Sequence, residues 1–193
     1  MVKIALGPKT MLYPTPAVLV GANVDDKPNF MTAAWCGIAN SEPPMISVSV
    51  RSSRYTHKGI TQNMTLSINI ASATQARETD YCGIISGAKV NKVENCRFSV
   101  FYGKLKTAPL IEECPVNLEC KVVHILALNS HTLFVCQIEE TYISDSGLTD
   151  GKPDLEKMNP IIFASELRQY YSIGNVVAQA FNIGLKLDKR RNK

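Results

Sequence analysis

Between Asn29 and Thr56 the sequence gathers Asn29, Thr32, Trp35, Ser47, Ser49, Arg51, Ser53, Arg54, Tyr55 and Thr56, and Trp35 is the only tryptophan of the chain. These residue types suit an anion and a flat ring. An anionic group needs guanidinium forks, hydroxyl donors and free backbone N–H groups at a helix start. Arg51-Ser52-Ser53-Arg54-Tyr55-Thr56 supplies all three. A planar ring needs an apolar wall with a few polar contacts, which Trp35, Asn29 and the serines could give. Surface arginines and a core tryptophan would explain the same residues without a ligand, so the residue types alone leave two readings open.

Other chemistry has less support. The chain has no G-x-x-x-x-G-K-[ST] phosphate loop, no G-x-G-x-x-G and no G-x-S-x-G elbow. His57, His124 and His131 are not spaced as metal ligands. His124 lies inside a β-prone run and reads as a core or edge histidine. His131 falls at a hairpin tip, where loops on a rigid scaffold often carry function. The six cysteines, Cys36, Cys82, Cys96, Cys114, Cys120 and Cys136, include no C-x-x-C pair. They read as small buried apolar residues of a reduced, cytosolic protein. Neither a signal peptide nor a membrane-spanning run is expected.

The formal net charge of +4 sits in the tail. Lys186, Lys189, Arg190, Arg191 and Lys193 oppose Asp188, so residues 186–193 carry the whole excess and residues 1–185 sum to zero. A neutral body argues against nucleic acid, whose phosphates need a basic face.

The elements that must position these residues are mostly strands. Ala17–Ala22 is β-rich and closes on the turn signal Asp25-Asp26-Lys27-Pro28, and a run over Phe30–Ile38 stops at Ser41-Glu42-Pro43-Pro44. Met45–Val50 alternates, with Ile46, Val48 and Val50 on one face and Ser47 and Ser49 on the other. Arg51–Lys58 reads as a loop entering a helix with Ser52 or Ser53 as N-cap. Leu66, Ile68 and Ile70 alternate with Ser67 and Asn69 in another strand. Ser72 can cap a helix running to about Ile85 and ended by Gly87. Val116–Leu128 and Thr132–Ile143 form long strands joined by a tight hairpin at Asn129-Ser130-His131, and Pro160–Ala164 is a last short strand. Many short antiparallel strands with two or three helices predict an α+β domain built around a β-barrel, covering residues 1–185 as a single unit.

The run Asn29-Phe30-Met31-Thr32-Ala33-Ala34-Trp35-Cys36-Gly37-Ile38, then Pro43–Arg51 and Arg54-Tyr55-Thr56, closely resembles the flavoredoxin group of the flavin reductase-like, FMN-binding proteins. Ser86-Gly87-Ala88-Lys89-Val90-Asn91-Lys92 is similar to that group's second motif, and Tyr170-Tyr171-Ser172-Ile173-Gly174 to a stretch near its end. The likeness runs in order along nearly the whole chain. One departure is Asn91, where the family often carries an acid. Asn can replace an acid that anchors the loop, but not one that tunes cofactor charge.

The resemblance implies a split β-barrel with Greek-key strands and FMN as cofactor. It places the cofactor against Asn29, Trp35, Thr56, Lys92, His131 and Phe163, and Thr32, Ser49, Val50, Arg51, Arg54, Tyr55, Ala88 and Lys89 complete the expected contact set. Arg51, Arg54 and Thr56 would hold the phosphate, while Trp35 and Phe163 would wall the ring. Lys92 or a protonated His131 would stabilise the anionic reduced flavin and tune its potential. A solvated Lys92 and a turn-capping His131 are the alternative. The implied activity is electron transfer by a homodimer, with a redox protein or NAD(P)H as electron partner. An NAD(P)H-dependent flavin or ferric reductase is a second reading, and a non-redox β-barrel binding module a third.

Overall fold

The computed structural model of the chain describes residues 1–187. The basic tail expected at 186–193 therefore falls, from residue 188 onward, outside the described residues.

The strands in chain order are β1 (Thr15–Pro16), β2 (Val18–Val24), β3 (Lys27–Ala33), β4 (Cys36–Ser41), β5 (Pro44–Val50), β6 (Thr65–Ile70), β7 (Val100–Phe101), β8 (Leu110–Ile111), β9 (Val116–Ala127), β10 (Thr132–Ile143), β11 (Leu148–Thr149), β12 (Lys152–Pro153), β13 (Ile162–Ala164) and β14 (Gln169–Tyr171). The helices are α1 (Tyr55–Asn63), α2 (Ala76–Ile84), α3 (Lys92–Cys96) and α4 (Leu155–Met158). A seven-stranded antiparallel sheet has the order β3-β2-β6-β9-β10-β5-β4, and β1-β13-β14 form a smaller sheet.

Alternation builds the main core. Val18, Val20 and Ala22 of β2, Met31 and Ala33 of β3, Ile46, Val48 and Val50 of β5, Leu66 and Ile68 of β6, and Phe134 and Cys136 of β10 share one buried cluster. Strands near both ends of the sheet can share a core only if the sheet curls on itself. The opposite face of β2 and β6 is covered as well. Leu19 and Phe30 enter a second cluster with Cys82, Phe98 and Ile111.

The polar face of β6 is buried too, with Ser67 and Asn69 both fully covered. Asn69 Nδ2 donates to the Leu19 carbonyl and to Ser67 Oγ, both at 2.9 Å. Asn69 Oδ1 accepts from Ile111 N at 3.0 Å and from Asn117 Nδ2 at 2.8 Å. Ser67 and Asn69 thus act as pins for β8 and the residue before it. Asn69→Ala would remove the side-chain acceptor of the buried Ile111 N–H, one of the two acceptors of the Asn117 amide and a donor to the Leu19 carbonyl. Urea denaturation should show a loss of about 2 to 4 kcal/mol.

Two further expectations are corrected. The run over Phe30–Ile38 is two strands, broken at Ala34-Trp35, where the Trp35 carbonyl turns to accept from Ser49 N at 2.9 Å. Lys27 and Pro28 belong to β3; the turn itself is Asp25-Asp26, both left-handed. His124 is exposed on β9 beyond the stretch paired with β6, so of the two readings open for it the edge histidine stands. Of the cysteines, Cys82, Cys114, Cys120 and Cys136 are buried, Cys36 and Cys96 half-buried, and all six thiols are free.

Candidate functional site

β5 delivers the first part of the site. Val50 ends the strand with its side chain fully buried in the barrel core, so among the expected contact residues its side chain faces away from any ligand. The chain then turns, with Arg54 N donating to the Arg51 carbonyl at 3.0 Å, and α1 begins. Its N-cap is Arg54 rather than Ser52 or Ser53, no side chain caps it, and its first turn holds no acid. The turn encloses both serines one step too early to reach the helix N–H groups. An uncapped helix start keeps its donors and its positive dipole end available to an anion.

Arg51, Arg54, Tyr55, Thr56 and Lys92 come together around a cavity of about 350 Å³, and no carboxylate lines it. Arg54 is fixed by donating from Nη1 to the Gly83 carbonyl at 2.8 Å. Lys92 is 4% exposed, and its Nζ donates to the Phe30 and Cys82 carbonyls, each at 2.8 Å. An ammonium has three N–H groups, so one remains for the cavity. Burial pushes the Lys92 pKa down; Cys82 opposes this, and Arg54 adds to it. A bound anion would favour the charged form. The donor set fits a phosphate: three cations, a hydroxyl and a helix start, with no resident counter-charge.

A second cavity of about 260 Å³ brings together Thr32, Trp35, Ser49, His131 and Phe163, and shares Arg51 and Arg54 with the first. Trp35 is 42% exposed, which removes the core-tryptophan reading. Its ring lies 4.6 Å from that of His131, tilted by 34°. The hairpin holding His131 closes through Leu128 N and the His131 carbonyl at 2.8 Å, and Ser130 Oγ lies 2.8 Å from His131 Nδ1. Phe163, on β13, packs 5.2 Å from Tyr170 of β14. Thr32 spends its hydroxyl on the Thr79 carbonyl.

Burial first, and Arg51 second, push the His131 pKa below its ordinary value. Lys92 lines the cation cavity, not the ring cavity. Arg51 and Arg54 are the charges that reach both.

Asn29, Ala88 and Lys89 line a third cavity of about 450 Å³ with Tyr55 and Lys92. Gly87 borders both this cavity and the cation cavity. A Cβ on Gly87 would stand 1.8 Å from Asn29 Oδ1, so only glycine lets that wall close. Asn29 contributes by position, donating from Nδ2 to Thr56 Oγ1 at 2.7 Å. Asn91 caps α3, its Oδ1 accepting from Val93 N and Glu94 N at 3.1 and 3.4 Å. It therefore does the loop-anchoring work open to an acid. Met31, Ser86 and Gly87 line the cation cavity without having been singled out as contacts. Ser86-Gly87, a small pair just after a helix, was the available signal; Met31 gave none.

His57 supplies a pH test. Its Nε2 lies 2.9 Å from Thr132 Oγ1, and burial lowers its pKa from the ordinary 6.5. The unfolded chain then binds protons at higher pH than the folded one, so stability is lost as pH falls through the ordinary histidine range and is flat above it. Comparing urea midpoints from about pH 7.5 to about pH 5.5, His57→Gln should show a shallower fall than the wild type.

The family model described as the flavin reductase like domain matches residues 10–169. The chain is similar to the flavoredoxin of Methanosarcina acetivorans, at 40% identity and a TM-score of 0.92, covering 97% of this chain and 100% of that one. It is similar to the flavoredoxin of Desulfovibrio vulgaris (Miyazaki F), at 39% identity and a TM-score of 0.89, covering 95% and 100%. An uncharacterized protein of Archaeoglobus fulgidus is 35% identical over 144 residues, 75% of this chain and 80% of that protein.

Proposed function

The chain belongs to the flavin reductase like domain family, and from that premise we propose that it is an FMN-binding, split-barrel flavoprotein that transfers electrons, as the flavoredoxins it is similar to suggest. The observation that carries the reading is an acid-free cation cavity beside an aromatic-walled one, the two sharing Arg51 and Arg54 in their walls. Arg51, Arg54, Thr56, Lys92 and the start of α1 would hold the phosphate. Trp35, Phe163 and His131 would wall the ring. When bound, FMN supplies the capacity to take up two electrons and release them to a partner. The protein's part is to bind and orient it, and to place Arg51 and Arg54 where negative charge is favoured.

The chain works as a homodimer in the cytoplasm, a setting that suits six free thiols. Among the described residues no helix is long and apolar enough to cross a membrane. A redox protein is the electron partner.

One observation favours a second reading, an NAD(P)H-dependent flavin reductase. A groove of about 640 Å³, walled by residues of the 9–16 segment, shares Ala34, Trp35 and Ser49 with the ring cavity, which leaves room for a second ring-bearing molecule. Anaerobic stopped-flow mixing of the FMN-loaded protein with NADH or NADPH separates the two. Slow bleaching supports the electron-transfer protein, and bleaching on the scale of turnover supports the reductase.

A further inference from the structure

Asn29 and Met31 lie two residues apart on β3 and so share one of its faces. Met31 lines the cation cavity, whereas Asn29 does not and borders the third cavity instead. Asn29 is 6% exposed and Thr56 1% exposed. A buried amide needs a partner, and Asn29 Nδ2 finds one in Thr56 Oγ1 at 2.7 Å.

That bond limits what Thr56 can do. The amide nitrogen carries only protons, so the hydroxyl oxygen is the acceptor. A threonine hydroxyl has one proton of its own, and among the described residues no hydrogen bond uses it. Thr56, the second residue of α1, lines the cation cavity with Arg51, Arg54 and Lys92. Its unspent proton is therefore left for an acceptor on a ligand. Gly87 keeps the amide in place: a Cβ there would lie 1.8 Å from Asn29 Oδ1 and 2.7 Å from its Cγ, so any side chain at 87 displaces the amide.

We propose that Asn29 is a positioning residue whose amide commits the Thr56 hydroxyl to donating, so that it meets a phosphate oxygen with a proton, and that Gly87 supplies the clearance this amide needs. A bond from that hydroxyl to an ionised phosphate is charge-assisted, and one to the terminal hydroxyl of riboflavin is not. The proposal rests on the FMN reading above and adds the residues that let the site select the phosphate end of its ligand.

The test is a double-mutant cycle, read by fluorescence titration of the apoproteins with FMN and with riboflavin. Asn29→Ala should weaken FMN binding about 5- to 30-fold and change riboflavin binding by less than about twofold. In a Thr56→Val background the same substitution should cost FMN less than about twofold, and in a Thr56→Ser background, which keeps the hydroxyl, the loss should return. Gly87→Ala should weaken FMN binding in the wild type but not where residue 29 is already alanine. Asn29→Leu, which fills the same space, repeats the cycle without leaving a void. Equal costs of Asn29→Ala in the threonine and valine backgrounds overturn the proposal, because the amide would then act by packing alone. An unchanged or raised FMN affinity in Asn29→Ala also overturns it, the result expected of an amide turned to accept the Thr56 proton. Both of those outcomes leave FMN binding standing; a wild type that binds neither ligand overturns the proposal and the FMN reading together.

Discussion

Arg54→Ala should weaken FMN binding about 10- to 100-fold, the loss expected when one charge-assisted hydrogen bond to a phosphate is removed. Arg54 lines both the cation cavity and the ring cavity, and its bond to the Gly83 carbonyl holds the guanidinium in place. The variant loses that strut as well, at about 1 kcal/mol of stability. Arg54→Lys keeps the charge but not the planar fork, so it should recover only part of the affinity. Fluorescence titration of the apoprotein measures all three proteins. Affinity within twofold of the wild type in Arg54→Ala would remove Arg54 from the phosphate site.

Lys92→Met should cost more in stability than in chemistry. Its ammonium is buried and bridges the Phe30 carbonyl of β3 to the Cys82 carbonyl of α2, tying the helix to the sheet across the second core. Methionine fills the channel but leaves both carbonyls without that donor. The expected loss is about 2 to 4 kcal/mol, or roughly 5 to 10 °C in Tm for a chain of this length. Added FMN should raise the Tm of the wild type more than that of the variant, because binding protects in proportion to affinity. Since Lys92 does not line the ring cavity whereas Arg51 does, the flavin potential should move further in Arg51→Met than in Lys92→Met. Spectroelectrochemistry of the two variants reads the difference directly, and the reverse order would return the tuning role to Lys92.

Much of this was legible before any coordinates, for local reasons. The alternation of Ile46, Val48 and Val50 marks β5 because one barrel face must be dry, and the Asn129–His131 hairpin follows from two long β-prone runs. The Arg51–Thr56 cluster is readable because it is continuous in sequence, and it does form one wall of the cation cavity. What failed depends on contacts distant in sequence. Nothing near Lys92 says that its ammonium is held by carbonyls from β3 and α2. Nothing near His131 says that burial, and then Arg51 far away in sequence, lowers its pKa. Nothing in the alternation of β6 says that the 98–114 segment covers Ser67 and Asn69. Ser52 and Ser53 are the residue types that cap helices, yet the turn closed by Arg51 places Arg54 at the cap.

The most direct measurement is a paired titration of the apoprotein with FMN and with riboflavin, which differ only by the phosphate, at low and high ionic strength. The account predicts one FMN per chain, bound at least about 100-fold tighter than riboflavin, with the margin narrowing as salt screens Arg51, Arg54 and Lys92. Equal affinity for the two ligands at low salt, or no binding of either, would contradict it.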